Sequence, residues 1–551
     1  MNINSFSPLF KLDVFSGFTV LAIGVFFGLT LLYSLGFMKS NPRPLGYYFS
    51  MVLTAISSAA AVLANNLIIL LLFWGLLGFT LYLLINIADG AYLAAKKAFI
   101  IVGGSDALMI FGIGIIFYLS GTFRMDQIRL ELNSGLAVLA YICVAIACFA
   151  KAGVMPFHSW IPDCAEKAPL PVVAFLPASL DKLLGIYLLA RISLNLFVMN
   201  TGMHIMLMLV GAFTIIAAVM MALIQHNMKR LLGYHAVSQV GYMVLGIGTG
   251  NPVGIAGGIF HMLNNTIYKS CLFYTSGNVE QRANTTELDK LGGLARLMPV
   301  TYICCLVASL SISGVPPFNG FVSKWMIYQG LIEQFKSVST ALKITACLGL
   351  IAAMFGSGLT LASFMKLLHA VFLGQPENQK SREPVKEVSW LMWLPPVLLA
   401  ILCLVFGIFA NQLPLKYFII PVVGEVVFSG TWYAGLSTVL IIIGLLLGAA
   451  IFNAGRMKSA VRQDSSFIGG EPLDLTQNRV SGTEFYNTVR ELGILKAVYR
   501  KAEAGRFDIY EQAKKIFSFS RILQFLHNGV LPTYLVWMLL GMVGLLVVLV
   551  R

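Results

Sequence analysis

The sequence predicts an all-α polytopic membrane protein. It would have about fourteen transmembrane helices, with two inverted five-helix repeats at its centre and a C-terminal amphipathic lateral helix before the last span. Three observations carry that prediction. Of 551 residues, 58% are hydrophobic and only 11% charged, with mean hydropathy +0.82, more apolar surface than a soluble domain of this size can bury. The apolar residues fall into runs of membrane-spanning length. Two of those runs are overlong and broken by Gly and Pro at matching places.

In order, the expected spans are 14–38, 47–64, 66–88, 97–119, 135–168, 169–192, 202–225, 231–249, 252–277, 298–333, 340–373, 390–411, 430–453 and 530–550. The fifth and tenth each read as one crossing made of two half-helices. With the N-terminus outside, the inner short loops hold twelve Lys and Arg: 39, 43, 96, 97, 229, 230, 282, 290, 296, 380, 382 and 386. The outer segments hold mainly six: Lys11, Arg124, Arg129, Arg191, Lys336 and Lys416. That asymmetry follows the positive-inside rule, and counting either broken helix as two crossings spoils it.

The two breaks match. Tyr141-Ile142-Cys143 is followed after nine residues by Gly-Val-Met-Pro-Phe at 153–157; Tyr302-Ile303-Cys304 is followed after nine by Gly-Val-Pro-Pro-Phe at 314–318. The offset is 161 throughout, and the intervening spans give the two positions opposite directions. Gly153, Pro156, Gly314, Pro316 and Pro317 are the helix-breaking residues. The domain reading is then an N-terminal span (1–46), a first repeat (47–192), a second, inverted repeat (193–375), additional spans (376–454), a lateral segment (455–529) and a final anchor (530–551). The lateral segment is polar, with a turn at Gly469-Gly470-Glu471-Pro472. Residues 484–528 carry apolar positions at helical spacing among Lys, Arg and Glu, as a stretch lying on a membrane or along partners does. As one helix of 45 residues it would be about 68 Å long.

The net charge of +14 is spread over short loops and one tail with no aromatic–basic groove, so it reads as topology and not as nucleic-acid binding. The eight cysteines contain no CxxC and read as small core residues; no iron–sulfur or haem cofactor is expected on this chain. No cleavable signal peptide is expected either.

Ionisable residues inside the spans are few: Lys151, Asp181 and Lys182, His261 and Lys269, and Lys324. Asp106, His235, Lys366 and His369 are further candidates. A lysine in hydrocarbon costs about 3 kcal/mol on insertion scales, so such residues are rarely kept for packing alone. A lysine out of water holds its proton less tightly, and a nearby carboxylate restores the grip; moving such a pair together or apart loads or unloads a proton. Plainer readings exist. Asp181 and Lys182 can form a static pair, and Lys366 and His369 can snorkel from a span end. His235 reads as a polar packing residue at a helix start, and Asp106 can simply bond a neighbouring helix.

Four ordered motifs carry a resemblance. They are Lys151-Ala-Gly-Val-Met-Pro-Phe-His158-Ser-Trp160-Ile-Pro162-Asp163 with Ala168-Pro169-Leu-Pro171; Asn227-Met-Lys229-Arg230 through Ser238-Gln239-Val-Gly241-Tyr242-Met243; His261-Met-Leu-Asn-Asn265-Thr-Ile-Tyr-Lys269; and Gly314-Val-Pro-Pro317-Phe-Asn-Gly320-Phe-Val-Ser323-Lys324. Over about residues 12–375 the chain resembles the proton-pumping antiporter-like subunits of respiratory complex I, Mrp-type cation/proton antiporters and energy-converting membrane-bound hydrogenases. The stretch Phe175–Tyr187 looks most like the hydrogenase branch. The resemblance implies Lys151 as the proton-carrying lysine of a first half-channel, Lys182, His261 and Lys269 as the connecting chain, and Lys324 in a second half-channel. Asp181 and Lys229 complete the expected proton-translocation set.

The same resemblance implies no redox centre on this chain, peripheral partner subunits carrying iron–sulfur or nickel–iron centres, and other membrane subunits braced by the lateral helix. The setting would be the lipid bilayer of a prokaryotic inner (cell) membrane, with the lateral segment on the cytoplasmic side. Three departures stand out. The family's glutamate after Phe-Trp in the third span is Gly75 here, its second histidine in the third motif is Asn265, and two spans that longer members carry before Asp13 are expected to be missing. The functional expectation is a proton- or sodium-translocating subunit of a membrane redox complex. The alternatives are a cation/proton antiporter or ion-coupled uptake subunit outside any redox complex, and a structural scaffold.

Overall fold

The computed structural model describes residues 9–39, 43–375, 385–428, 434–457, 483–517 and 529–550, with the single positions 520, 524 and 527. The chain divides into two units, residues 1–492 and 493–551. In the first unit the helices run α1 Val14–Phe37, α2 Pro44–Leu63, α3 Leu67–Ile85, α4 Tyr92–Ser120, α5 Gly135–Ala152, α6 Trp160–Lys167, α7 Leu170–Phe175 and α8 Asp181–Arg191. They continue with α9 Thr201–Leu223, α10 Met228–Gly248, α11 Pro252–Ala283, α12 Pro299–Ser313, α13 Asn319–Glu333, α14 Thr340–Leu368, α15 Trp390–Ile408, α16 Ile420–Val423, α17 Ala434–Met457 and α18 Asn487–Glu491. The second unit holds α19 Gly493–Glu503, α20 Ile509–Phe517 and α21 Leu531–Val550.

Among the described residues, eleven helical segments are long and apolar enough to cross a membrane, and the chain is an integral membrane protein. The expected spans outside that set are α10, α11 and the two-part α12–α13. Their hydropathy is diluted by what they carry: Lys229, His235, Gln239, His261, Asn264, Asn265, Lys269, Asn319 and Lys324 lie on them, all buried. Every residue of α10 except Arg230 is buried.

The 161-residue offset recurs beyond the breaks. α3 begins at Leu67 and α10 at Met228. Each is N-capped by asparagine: Asn66 Oδ1 accepts from Ile68 N–H at 2.9 Å, and Asn227 Oδ1 accepts from Lys229 N–H at 3.0 Å. Each asparagine also forms an isolated antiparallel bridge, Asn66 with Arg124 and Asn227 with Glu287. Helix contacts in this core depend on missing side chains. A Cβ at Gly241 would stand 2.7 Å from Gly211 O, and one at Gly185 would stand 2.8 Å from Cys148 O and from Ala152 Cβ. The second contact presses α8 against α5.

Between α7 and α8 the backbone opens into a π-turn over 176–180, with Asp181 N–H bonded to Leu176 O. Pro177 has no N–H to give the regular ladder, and Ser179 Oγ bonds back to Ala174 O at 3.0 Å. An 18-residue stretch of this crossing is buried at every position.

The amphipathic stretch is not one continuous helix. Its described residues form α18, α19 and α20, and Gly505, in left-handed backbone at φ +69°, follows the end of α19. The turn expected at 469–472 lies outside the described residues.

Candidate functional site: buried lysines along two broken helices

The two breaks share one backbone design. Gly153 (φ +85°, ψ 40°) ends α5 and Gly314 (φ +82°, ψ 39°) ends α12, both in the left-handed region that glycine alone adopts freely. Val154 N–H then bonds Phe149 O at 2.9 Å and Phe157 N–H bonds Val154 O at 2.8 Å. In the second break Val315 N–H bonds Leu310 O at 3.1 Å and Phe318 N–H bonds Val315 O at 3.2 Å. Both breaks contain a cis X-Pro peptide, Met155-Pro156 and Pro316-Pro317.

Breaking a helix in the membrane frees carbonyls that lipid cannot satisfy. At each break a side chain from the second half-helix reaches back to one. Trp160 Nε1 donates to Ala150 O at 3.0 Å, and Lys324 Nζ donates to Ile312 O at 2.8 Å. Ile312 stands 161 residues after Lys151, so the lysine of the second break comes to the place where the first break carries its own.

Lys151 is fully buried, and its Nζ has no hydrogen-bond partner. It lies over the Trp74 ring, 4.7 Å from the centroid. A desolvated cation–π contact gives about 2 kcal/mol, less than the ~3 kcal/mol a membrane-buried lysine costs. The balance falls to charge, and the carboxylates acting on Lys151 are Asp181 and then Asp106. Asp181 Oδ2 and Lys182 Nζ are likewise buried without hydrogen-bond partners, so this adjacent couple forms no static hydrogen-bonded pair. Lys182 Nζ instead points to the first break, 3.4 Å from where a Gly153 Cβ would be and 6.0 Å from the Trp160 ring.

Lys182 in turn acts electrostatically on Lys269, whose Nζ donates to Leu232 O at 2.8 Å. His261, Asn265 and Lys269 follow one face of α11 at four-residue spacing. Both amide atoms of Asn265 are buried and unpartnered. His261 Nδ1 meets Ser323 Oγ at 2.8 Å, and its Nε2 meets Gln239 Oε1 at 3.1 Å and Tyr268 OH at 3.2 Å. Ser323 precedes Lys324, whose Nζ lies over the Tyr242 ring at 4.6 Å.

Three placements differ from the sequence expectation. His235 is not a helix-start packing residue. It is fully buried inside α10, bonds Ser363 Oγ through Nε2 at 2.8 Å, and stands within the field of Lys269, Lys324 and Lys366. Lys366 does not snorkel: its Nζ donates to Leu223 O at 2.5 Å and Gln225 O at 2.9 Å, neutralising the negative C-terminal end of α9. His369, by contrast, is exposed, as snorkelling requires. Lys229 stands apart from the row, in a 2.7 Å ion pair with Glu280 that ties the start of α10 to α11. Nearby, Asp163 on α6 pairs with Lys97 of α4 at 2.6 Å and with Arg230 of α10 at 3.0 Å, and Glu166 pairs with Arg230 at 2.9 Å. This network pins the second half-helix of the first break. Seven of the eight cysteines are buried, and among the described residues no three His, Cys, Asp or Glu side chains converge as a metal site would need.

The family described as NADH:quinone oxidoreductase/Mrp antiporter, transmembrane region, matches residues 64–352. The Na(+)/H(+) antiporter subunit A1 of Staphylococcus epidermidis is 30% identical over 512 residues, covering 85% of this chain and 64% of that protein. Hydrogenase-4 component B of Escherichia coli K12 is 28% identical over 436 residues, covering 74% and 63%. The chain thus spans less than two thirds of the length of these relatives. Among solved structures, a chain of the membrane-bound sulfane sulfur reductase, an archaeal respiratory membrane complex, superposes with TM-score 0.80 at 23% identity, covering all of this chain and 90% of the other. A chain of the Mrp complex from Dietzia sp. DQ12-45-1b superposes with TM-score 0.69 at 21% identity, covering 77% and 86%.

Proposed function

Because the chain belongs to the NADH:quinone oxidoreductase/Mrp antiporter family, we propose that it is an ion-translocating, antiporter-like subunit of a multisubunit membrane complex, with protons as the leading cargo and sodium the alternative. The observation that carries this reading is the row of fully buried lysines, Lys151, Lys182, Lys269 and Lys324, strung between two helix breaks. Four cations in an enclosed apolar core serve no packing need. Among the described residues, carboxylates act on the Lys151–Lys182 end of the row, so charge there can be loaded and released by small displacements of Asp181 relative to Lys151 and Lys182. His235 and His261, bonded to Ser363 and Ser323, link the middle lysine to Lys324. We assign transfer to Lys151, Asp181, Lys182, Lys269, His235, His261 and Lys324, and a supporting ion-pair role to Lys229.

The complex we favour is a redox one, a hydrogenase or complex I relative whose iron–sulfur or nickel–iron centres sit on other chains. The end-to-end fold likeness to a chain of a respiratory membrane complex supports it. A cation/proton antiporter without redox partners is the second reading, supported by the identity to Na(+)/H(+) antiporter subunits. The segment 455–529 serves in either case to contact neighbouring membrane subunits. In either case the chain would sit in a prokaryotic inner membrane, N-terminus outside, with that segment facing the cytoplasm. The subunits that co-purify with the chain separate the two, because only a redox complex brings iron–sulfur or nickel–iron partners. Proton uptake into vesicles holding the reconstituted complex tests the relay itself: Lys151→Ala is expected to lower flux by about a hundredfold, and full flux in that variant sinks it.

A further inference from the structure

We propose that Thr483–Tyr486, the first described residues of the lateral segment, form a strap that closes the end of the second repeat where α9 passes into α10, with the Tyr486 ring as its stopper. Keeping solvent off the buried row is its use under the relay reading above; its seat on the bundle stands without that reading. Two anchors hold the strap. Thr483, itself buried, donates through Oγ1 to Asp289 Oδ1, in the loop after α11. The other Asp289 oxygen pairs with His226 Nδ1 at 2.8 Å. That loop is already laced to the α9–α10 turn, because Leu288 N–H bonds His226 O at 2.8 Å and Met228 N–H bonds Thr286 O at 2.9 Å. At the end of a 3-10 turn over Glu484–Tyr486, the Tyr486 hydroxyl then donates to Ala362 O of α14 at 2.9 Å. The strap thus crosses from the α11 loop to α14, beside the end of α9.

What lies under it is polar. Lys366 Nζ sits 6.0 Å from the centre of the Tyr486 ring while donating to Leu223 O and Gln225 O, and Lys366 is only 3% exposed. Ser363, next to Ala362, bonds His235 Nε2, and the Nδ1 of that histidine is sealed without a hydrogen-bond partner. A buried polar atom left so costs about 1–3 kcal/mol, and a water molecule would relieve it. Ser363 stands five residues before the last residue of α14, about 7.5 Å along the axis. Water therefore has a short way to travel and a site that would hold it. Tyrosine suits the position that stops it: the hydroxyl is bonded to the helix backbone, and the apolar ring is left to fill the gap beside Lys366.

The experiment reads how fast a charged, membrane-impermeant thiol reagent labels position 363 in the detergent-solubilised whole complex, by mass spectrometry of the peptide that holds it. Three forms are compared: Ser363→Cys alone, Ser363→Cys with Tyr486→Phe, and Ser363→Cys with Tyr486→Ala. Subunit content reports assembly. With the strap intact, labelling is expected to be slow. Tyr486→Phe keeps the ring and should stay within about twofold of that rate, while Tyr486→Ala should label about tenfold faster. Equal rates in Tyr486→Ala and in Ser363→Cys alone overturn the strap. Should Tyr486→Ala lose subunits, Thr483→Val replaces it by cutting the Asp289 anchor: faster labelling supports the strap, and an unchanged rate overturns it. Proton flux in Lys151→Ala vesicles keeps the two readings apart. Faster labelling beside full flux keeps the strap and removes the relay; an unchanged labelling rate beside lost flux removes the strap and keeps the relay.

Discussion

The two helix breaks share one backbone design and differ in what surrounds their lysines. Both end a helix on a left-handed glycine with φ within a few degrees, and both repeat the same pair of backbone hydrogen bonds. Yet at the first break the lysine precedes the glycine, has no hydrogen-bond partner, and feels two carboxylates. At the second break the lysine follows it, donates to a freed carbonyl and lies over Tyr242, and among the described residues no carboxylate acts on it. Duplicating a broken helix duplicates the backbone problem, which is the orphaned carbonyls. Its solution is not duplicated: an indole answers at the first break and the lysine itself at the second. The first site can change its field by moving a carboxylate. In the proposed relay the second would be steered through backbone dipoles and the His261–Ser323 bond.

If the two sites work in series, removing either lysine stops transport equally. Lys324→Ala is expected to lower vesicle proton flux about as far as Lys151→Ala, roughly a hundredfold, and the double variant no further. Additive losses would mean two independent paths and would break the comparison. A smaller effect tests how the helices are pressed together at each break. Gly185→Leu forces α8 off α5, and Gly320→Ala drives a methyl into the Ser311 carbonyl of α12. Each is expected to cost about 1–3 kcal/mol, read as a lowered thermal midpoint in detergent. Only Gly185→Leu separates a carboxylate from its lysine, so it alone should lose more flux than protein. The smallest effect is expected at the rim. Asp163→Asn removes a partly exposed partner of Lys97 and Arg230, and stability should fall by about 1 kcal/mol or less. Flux near wild type in that variant, with sensitivity to salt, would confine the network to holding α6 in place; a collapse of flux would bring Asp163 into the ion path.

The parts legible in the chain were those carried by local chemistry. Apolar runs, Gly-Val-x-Pro-Phe breaks and intramembrane lysines each announce themselves within a few residues, because the cost of a broken ladder or a buried charge is paid locally. Asp106, His235 and Lys366 were legible only as polar residues in or near spans. Their neighbours come from other helices: Gly78 of α3 for Asp106, Ser363 of α14 for His235, and carbonyls around the end of α9 for Lys366. The π-turn before Asp181 was hidden for a related reason, since Pro177 explains it only once the surrounding helix is known to continue.

By itself, the sequence determined that this chain lives in a membrane, that two of its helices break, and that lysines line the break region. Hydrophobicity and backbone hydrogen bonding impose those features whatever the neighbours. Only the tertiary structure decided which charges face one another. Gly75 turns outward, Asp106 turns in against Gly78, and Lys324 bends back to the carbonyl of Ile312. Electrostatic partnership in a low-dielectric core depends on distances of a few ångströms between helices, and those distances are set by close glycine contacts that no spacing along the chain reveals.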